Sequence, residues 1–396
     1  MRDLLGPGTR LGYCTNVVAG ANWRQTQHNL EKHFTQVRTS VDRQAPLGLG
    51  LWLSARSARE ILQEKRLGAL RDWLVERGFD VFTLNGFPHG DFHLPVVKHS
   101  VYEPDWREPA RLHQTRDLAT ILAAILPEGE EGSISTLPVG WRESLRGDGD
   151  LPRAASNLRL MAQHLADLSD RTSHLIHLDL EPEPGCCLDR ASDVVAFFSE
   201  HLTGHGDDEL ILRHLRICHD ICHTAVMHED QVEVLRTYRE HGIRVGKVQI
   251  SAAVSVAFES LSPERRGEAL EQLREFHEKR YLHQTVIRTP DGKCEFHEDL
   301  PVALAAIADG ANPEGTWRVH FHVPILWDHW VLIESTRREI LPCLTAAREL
   351  HDVHHFEIET YAWDVLPEGL RQPQLSGGIW SEIAELQRII ETASFV

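Results

Sequence analysis

The chain has 396 residues, with 41 Lys+Arg against 59 Asp+Glu and a formal net charge of −18. At 42% hydrophobic and 25% charged it has the composition of a folded chain with a large core, and its negative balance disfavours nucleic acid as a partner. No run of about 18 apolar residues occurs and Met1-Arg2-Asp3 opens no apolar signal region, so neither membrane insertion nor secretion is expected.

Apolar runs alternate with helical patterns from one end to the other. Residues 11–17 (LGYCTNV) predict a strand and 24–40 an amphipathic helix. A strand over 47–54 leads to a helix over 57–77, with Leu62, Leu67, Leu70 and Leu74 on one side. A strand at 80–86, a loop through Tyr102 and Trp106, and a helix near 113–126 follow. Next come strand 133–138, helix 154–170, strand 174–181, helix 190–203, strand 215–220, helix 229–241 and strand 246–251. After helix 263–279, residues 283–288 and 293–297 flank a Thr289-Pro290-Asp291-Gly292 turn and predict a hairpin. Strand 317–323, helix 335–349, strand 354–361 and helix 379–393 complete the pattern.

Many of these strands are apolar on both faces, which predicts a parallel sheet covered by helices. No linker, repeat or low-complexity segment divides the chain, so one domain over 1–396 is expected. A TIM (β/α)8 barrel of roughly 250 residues plus insertions fits best. Nine main strand candidates compete for eight places, so one, such as 47–54 or 317–323, lies outside the barrel; the hairpin at 283–297 reads as an insertion.

Several chemistries are unsupported. No Gly-x-Gly-x-x-Gly follows the first strand, and there is no phosphate-binding loop or Gly-x-Ser-x-Gly elbow. The seven cysteines are odd in number and form no CxxC pair, which favours a reducing, cytoplasmic setting over a disulfide framework. Cys218 and Cys222 adjoin His219 and His223, but no second pair follows at zinc-finger spacing.

The 25 histidines are the compositional oddity, and their placement is informative. Barrel chemistry sits at the C-terminal ends of strands. Here HLDLE ends in Glu181, RICHD ends in Asp220 with His223 three residues on, and KVQIS carries Gln249. Then VHFHVP carries His320 and His322, and FEIETY carries Glu357 and Glu359. Pleat alternation puts both members of each pair (Asp179 and Glu181, His320 and His322, Glu357 and Glu359) on one face, and the more C-terminal member lies nearer the barrel mouth. Glu181, Asp220, His223, Gln249, His322 and Glu359 are therefore the candidate metal ligands, with Glu181 and Glu359 also the candidate acid and base. Oxygen donors with one or two imidazoles suit Mn, Mg, Co or Zn. Asn85 and His89 in the early NGFPHGDFH loop, with His283 and His320, are candidate substrate contacts. Each also has a plainer reading: a carboxylate as cap or ion-pair partner, a glutamine bonded to backbone, a histidine satisfied in the core.

Taken together these segments resemble a known superfamily. The DICH segment, Asp220 to His223, resembles the Asp-x-x-His segment of endonuclease IV and xylose isomerase-like TIM barrels. Glu359 in EIETY resembles their closing-strand glutamate, and Glu181 and Gln249 stand where earlier and later ligands are found. More narrowly, LGYCTNV, TLNGFPHGDFH, SISTLP, LDLEPEPGC, YLHQT, HFHVP and ETYAWDVLP resemble the bacterial EboE family, described as a metabolite traffic protein. The resemblance implies a xylose isomerase-like barrel, work on secondary-metabolite precursors, and operon-encoded protein partners. Gln249 in place of a histidine, no clear Asp-x-His triplet and the acidic charge speak against DNA repair.

Three functions follow as expectations. The first is a divalent-metal isomerase or epimerase acting on a sugar- or cyclitol-type metabolite. The second is a metal-dependent phosphoester hydrolase with His223, His283 and His322 completing a two-metal site. The third is a metabolite-binding or hand-over protein without catalysis. Barrel kinship alone does not choose among them.

Overall fold

The computed structural model describes residues 3–40, 45–63, 65–307 and 313–392. Residues 1, 2, 64 and 393, which the sequence readings touch, lie outside that set. Seven parallel strands come first: β1 (Arg10–Cys14), β2 (Leu47–Trp52), β3 (Phe79–Asn85), β4 (Gly132–Thr136), β5 (Ile176–Leu180), β6 (Leu215–Asp220) and β7 (Val245–Ile250). Six more belong to an insertion: β8 (Val254–Ala257), β9 (Thr285–Arg288), β10 (Cys294–His297), β11 (Thr316–Val319), β12 (His329–Trp330) and β13 (Ile333–Ser335). The last strand, β14 (His355–Ile358), pairs in parallel with both β7 and β1 and closes the barrel in the order β1-β14-β7-β6-β5-β4-β3-β2.

Helices link the barrel strands and bury one apolar stripe each against them. In Trp23–Ser40 the buried residues are Trp23, Thr26, Leu30, Phe34 and Val37, the three-to-four spacing of a single helix face. Each fully buried Leu or Phe there contributes roughly 1.5–3 kcal/mol of hydrophobic stabilisation. The closing helix, Leu375–Thr392, packs on this first one, with Ser376 Oγ 2.8 Å from Gln36 Oε1. The helix expected over 57–77 is instead two, Ala55–Gln63 and Leu67–Arg77. Lys65 takes the left-handed conformation (φ 52°) and the Arg66 amide donates to Ile61 O at 2.9 Å, which ends the first helix.

The sequence reading of the insertion was too small. The hairpin β9–β10 is part of a six-stranded antiparallel sheet in the order β10-β9-β11-β8-β13-β12. Of the nine strand candidates, 317–323 is the one outside the barrel, because β11 pairs antiparallel with β8 and β9; 47–54 belongs to the barrel as β2. The apolar run of 317–323 reads as a barrel strand since periodicity cannot tell which sheet a buried strand joins.

The interior of the barrel is polar rather than packed with branched aliphatics. Asn85 Nδ2 on β3 donates across to Glu357 on β14 at 2.9 Å, and Lys247 Nζ on β7 donates to Asn85 Oδ1 at 2.9 Å while pairing with Glu357. Glycine makes room for this: a β-carbon at Gly50 would overlap the Glu357 carboxylate. Among the described residues no helix is long and apolar enough to cross a membrane.

Candidate metal centre at the barrel mouth

Above this polar layer the chain gathers three carboxylates. One oxygen each of Glu181, Asp220 and Glu359 lies within 4.8 Å of the others, and all three residues are buried. They come from the ends of β5, β6 and β14. Glu181 is the first residue beyond β5, held by its amide to Thr136 O at 2.9 Å. Asp220 both ends β6 and caps the helix Ile221–Val226. Its Oδ1 accepts from the His223 amide at 2.9 Å and from Ser251 Oγ at 2.8 Å, while Oδ2 is buried without a partner. The capping reading and the ligand reading of Asp220 thus use different oxygens. Glu359 Oε1 accepts from Asn16 Nδ2 at 2.7 Å.

His322 reaches the same space from the insertion, just beyond β11, and forms a second such group with Asp220 and His223. Its Nδ1 donates to Glu359 O at 3.0 Å and its Nε2 is buried without a partner. His223 donates Nδ1–H to Pro182 O at 2.9 Å, which leaves the Nε2 lone pair for another task. His320 lies beside both rings, with centroids 4.6 Å from His223 and 5.1 Å from His322.

Electrostatics follow from burying like charges together. Burial, then the charges of Glu359 and Asp220, raises the Glu181 carboxyl well above its ordinary value. Burial likewise pushes Glu359 up to about 7, with His322 opposing and Asp220 and Glu357 reinforcing the shift. Burial acts on Asp220 in the same direction, but the His223 and His322 rings, the His223 amide and the Ser251 hydroxyl reverse it and hold Asp220 below its ordinary value. His223 is lowered to about 4, chiefly by burial, and so is a neutral imidazole at pH 7. Three carboxylates that share one space, two of them raised, with the partnerless His322 Nε2 nearby, form a donor set that a divalent cation fits, replacing protons.

A cavity of about 70 Å3 opens over this cluster. Its walls include Phe87, Phe92, Tyr281 and Tyr361, with Asn16, Glu183 and Tyr102 among the polar groups. Of the substrate-contact candidates, Asn85 and His320 line it. Asn85 is fully engaged below, with Nδ2 also 3.1 Å from Cys14 Sγ and Oδ1 accepting from Ser135 at 3.1 Å. His89 and His283 do not line it. His89 is half-buried on its loop, lowered to about 4 by burial and by Arg111 and Arg59. His283 stacks on Phe321 at 5.0 Å, near Glu278 and Asp299.

Gln249 lies beside Asp220 in the strand register, and its Oε1 is buried without a partner. Its Nε2 donates to Asn85 Oδ1 at 3.3 Å, which ties the amide nitrogen to the polar layer. His322, from the insertion, is grouped with Asp220 and His223. Sequence reasoning also passed over Asn16, Glu183, Tyr102 and Gln284. Asn16 follows β1 and Glu183 lies in the Pro-Glu-Pro loop, polar positions just beyond strand ends that position alone could have flagged. Tyr102 and Gln284 lie in a loop and an insertion whose placement no period reveals.

No protein-family model and no curated protein matches the chain. Solved structures do. A xylose isomerase-like TIM barrel protein from Mycobacterium smegmatis in complex with magnesium is 10% identical, with a TM-score of 0.52 and 97% of each chain covered. An L-ribulose 3-epimerase is 12% identical, with a TM-score of 0.51 over 97% of this chain and 95% of that one. A D-tagatose 3-epimerase-like protein is 10% identical, with a TM-score of 0.50 and 97% of each chain covered. Identities this low speak for the fold alone, a TIM barrel like theirs.

Proposed function

We propose that this chain is a divalent-metal-dependent isomerase or epimerase acting on a small, polyoxygenated metabolite of sugar or cyclitol type. The observation that carries the reading is the buried group Glu181, Asp220 and Glu359, with His322 close to Asp220. A divalent cation there would polarise a carbonyl and its neighbouring hydroxyl, making the intervening C–H acidic. Glu181 and Glu359 rise from strands three places apart around the barrel and face one space. Either can accept a proton from that carbon or return it. Glu359, pushed up to about 7, is poised to exchange protons near neutrality. Asn16 fixes its orientation, and aromatic side chains line the walls. Epimerases among the structural neighbours agree with this class, and the EboE resemblance would place the reaction in the processing or traffic of secondary-metabolite precursors.

The test is metal content of chelator-free protein, followed by proton exchange in D2O with a panel of ketoses and keto-cyclitols read by NMR. Deuterium appearing beside the carbonyl, and lost in Glu359→Gln, is the expected result. Phosphate release from a phosphomonoester without such exchange would select the hydrolase instead. Tight binding without turnover, indifferent to Glu359→Gln, would select a hand-over protein.

A further inference from the structure

Beside the carboxylate cluster lies a second group of different chemistry: Glu183, His223 and His320 each place a ligand atom within 4.8 Å of the others. Gln284, from the insertion, organises it. The Gln284 amide nitrogen donates to Glu183 Oε1 at 2.9 Å, to Tyr102 Oη at 2.8 Å and to Pro184 O at 3.2 Å. That fixes which way the amide faces, so its Oε1 accepts from His320 Nδ1 at 2.8 Å. His320 is thereby held with its proton on Nδ1, and its Nε2 has no partner although the residue is only 5% exposed. Tyr102 also donates to Glu183 Oε1 at 2.7 Å, so the other carboxylate oxygen is spared. His223 is oriented in the same way, by its Nδ1–H to Pro182 O. Burial keeps both rings neutral, His223 at about 4 and His320 well below its ordinary value, the protonation state a metal requires.

We propose that this group binds a second divalent cation, of the zinc or cobalt class, next to the first. Two neutral imidazoles and one carboxylate, each fixed by a further hydrogen bond, are the three-ligand set that leaves one position open to water or substrate. The first cluster, rich in carboxylates, favours a harder ion such as magnesium or manganese. The second site belongs jointly to the barrel, through His223 and the loop after β5, and to the insertion, through His320 and Gln284. It requires no particular reaction, so it stands apart from the isomerase reading.

Full-length protein stripped with chelator is titrated with Co2+, and bound metal is counted after gel filtration while visible absorption is recorded. The wild type should bind two equivalents. Glu183→Gln and His320→Ala should each bind one and lose the strong absorption band of a low-coordinate site. Glu359→Gln should lose the other equivalent and keep that band. Gln284→Leu should weaken the second site by about 10–100-fold. A single equivalent in the wild type, abolished by Glu359→Gln and untouched by Glu183→Gln, overturns the second site while leaving the proposed function intact. Two equivalents retained in Glu183→Gln overturn its ligand assignment. No metal in the wild type overturns both. Should His320→Ala fail to fold by circular dichroism, the isosteric Glu183→Gln decides the matter.

Discussion

Two layers of the barrel interior use the same residue types to opposite ends. In the lower layer each buried ion faces an opposite charge. Arg10 meets Asp80 and Glu130, Glu131 meets His177 and Arg216, and Lys247 meets Glu357. Burial opposes ionisation of Glu131, yet His177 and Arg216 hold it well below the usual carboxylate range. Burial likewise opposes the Lys247 charge, and Glu357 restores it. At the mouth no cation is paired with Glu181 or Glu359; Lys247 and, for Glu359, His322 only oppose burial and the neighbouring carboxylates, and both carboxyls rise. Asp220 Oδ2, His320 Nε2 and His322 Nε2 lack protein partners there. A buried carboxylate is therefore not itself the sign of a site; carboxylates crowded together without a paired cation, beside partnerless donor atoms, are.

The comparison can be broken most severely from below. Lys247→Met should destabilise the fold by about 3–5 kcal/mol, because Glu357, fully buried, loses its cation. The double variant Lys247→Met/Glu357→Gln should recover most of that in urea unfolding. A single-variant loss under about 1 kcal/mol would mean that the lower layer is not held by charge.

At the mouth the opposite pattern is expected. Glu359→Gln should lower affinity for the first metal by more than about 100-fold. The metal-free variant should melt at the same temperature as the metal-free wild type or higher, since a raised carboxyl has been made permanently neutral. A clear drop in its melting temperature would show Glu359 to be structural.

The raised carboxyls also set a pH dependence. A group whose folded pKa lies above its unfolded value stabilises the fold fully below the unfolded value, and loses that contribution as pH rises through the folded one. For Glu359 at about 7 and Glu183 at about 8, against the ordinary 4.5, metal-free protein should lose stability between pH 5 and pH 8. Metal replaces the protons, so stabilisation by added Mn2+ should grow over the same interval. Calorimetry with and without metal at several pH values measures both; stabilisation by metal that shrinks as pH rises would contradict the assignment.

The smallest effect separates Gln249 from the ligands. Gln249→Leu should leave the metal count unchanged and cost about 1 kcal/mol, the net worth of its hydrogen bond to Asn85. Loss of a metal equivalent would return Gln249 to the site.

Strand alternation was legible because each barrel strand must satisfy its own pleat and its own helix, which are local demands. The positions of Glu181, Asp220 and Glu359 were legible for the same reason, since a polar residue that ends an apolar strand marks the barrel mouth. What stayed hidden was the extent of the insertion and the sheet that carries its histidines. His320 and His322 read as the end of a barrel strand, although they follow β11 of a separate sheet. Gln249 reads as a ligand because it follows the strand pattern, and only packing reveals that its amide nitrogen is tied to Asn85 while its oxygen has no partner.

Sequence alone therefore determined the barrel, its strand ends and the carboxylates that rim it, since period and strand polarity are written in consecutive residues. The tertiary structure decided which imidazoles join those carboxylates and which buried charges are neutralised. Those depend on contacts such as Asn85 with Glu357 and His322 with Glu359, between residues far apart in the chain, where no local pattern constrains the partner.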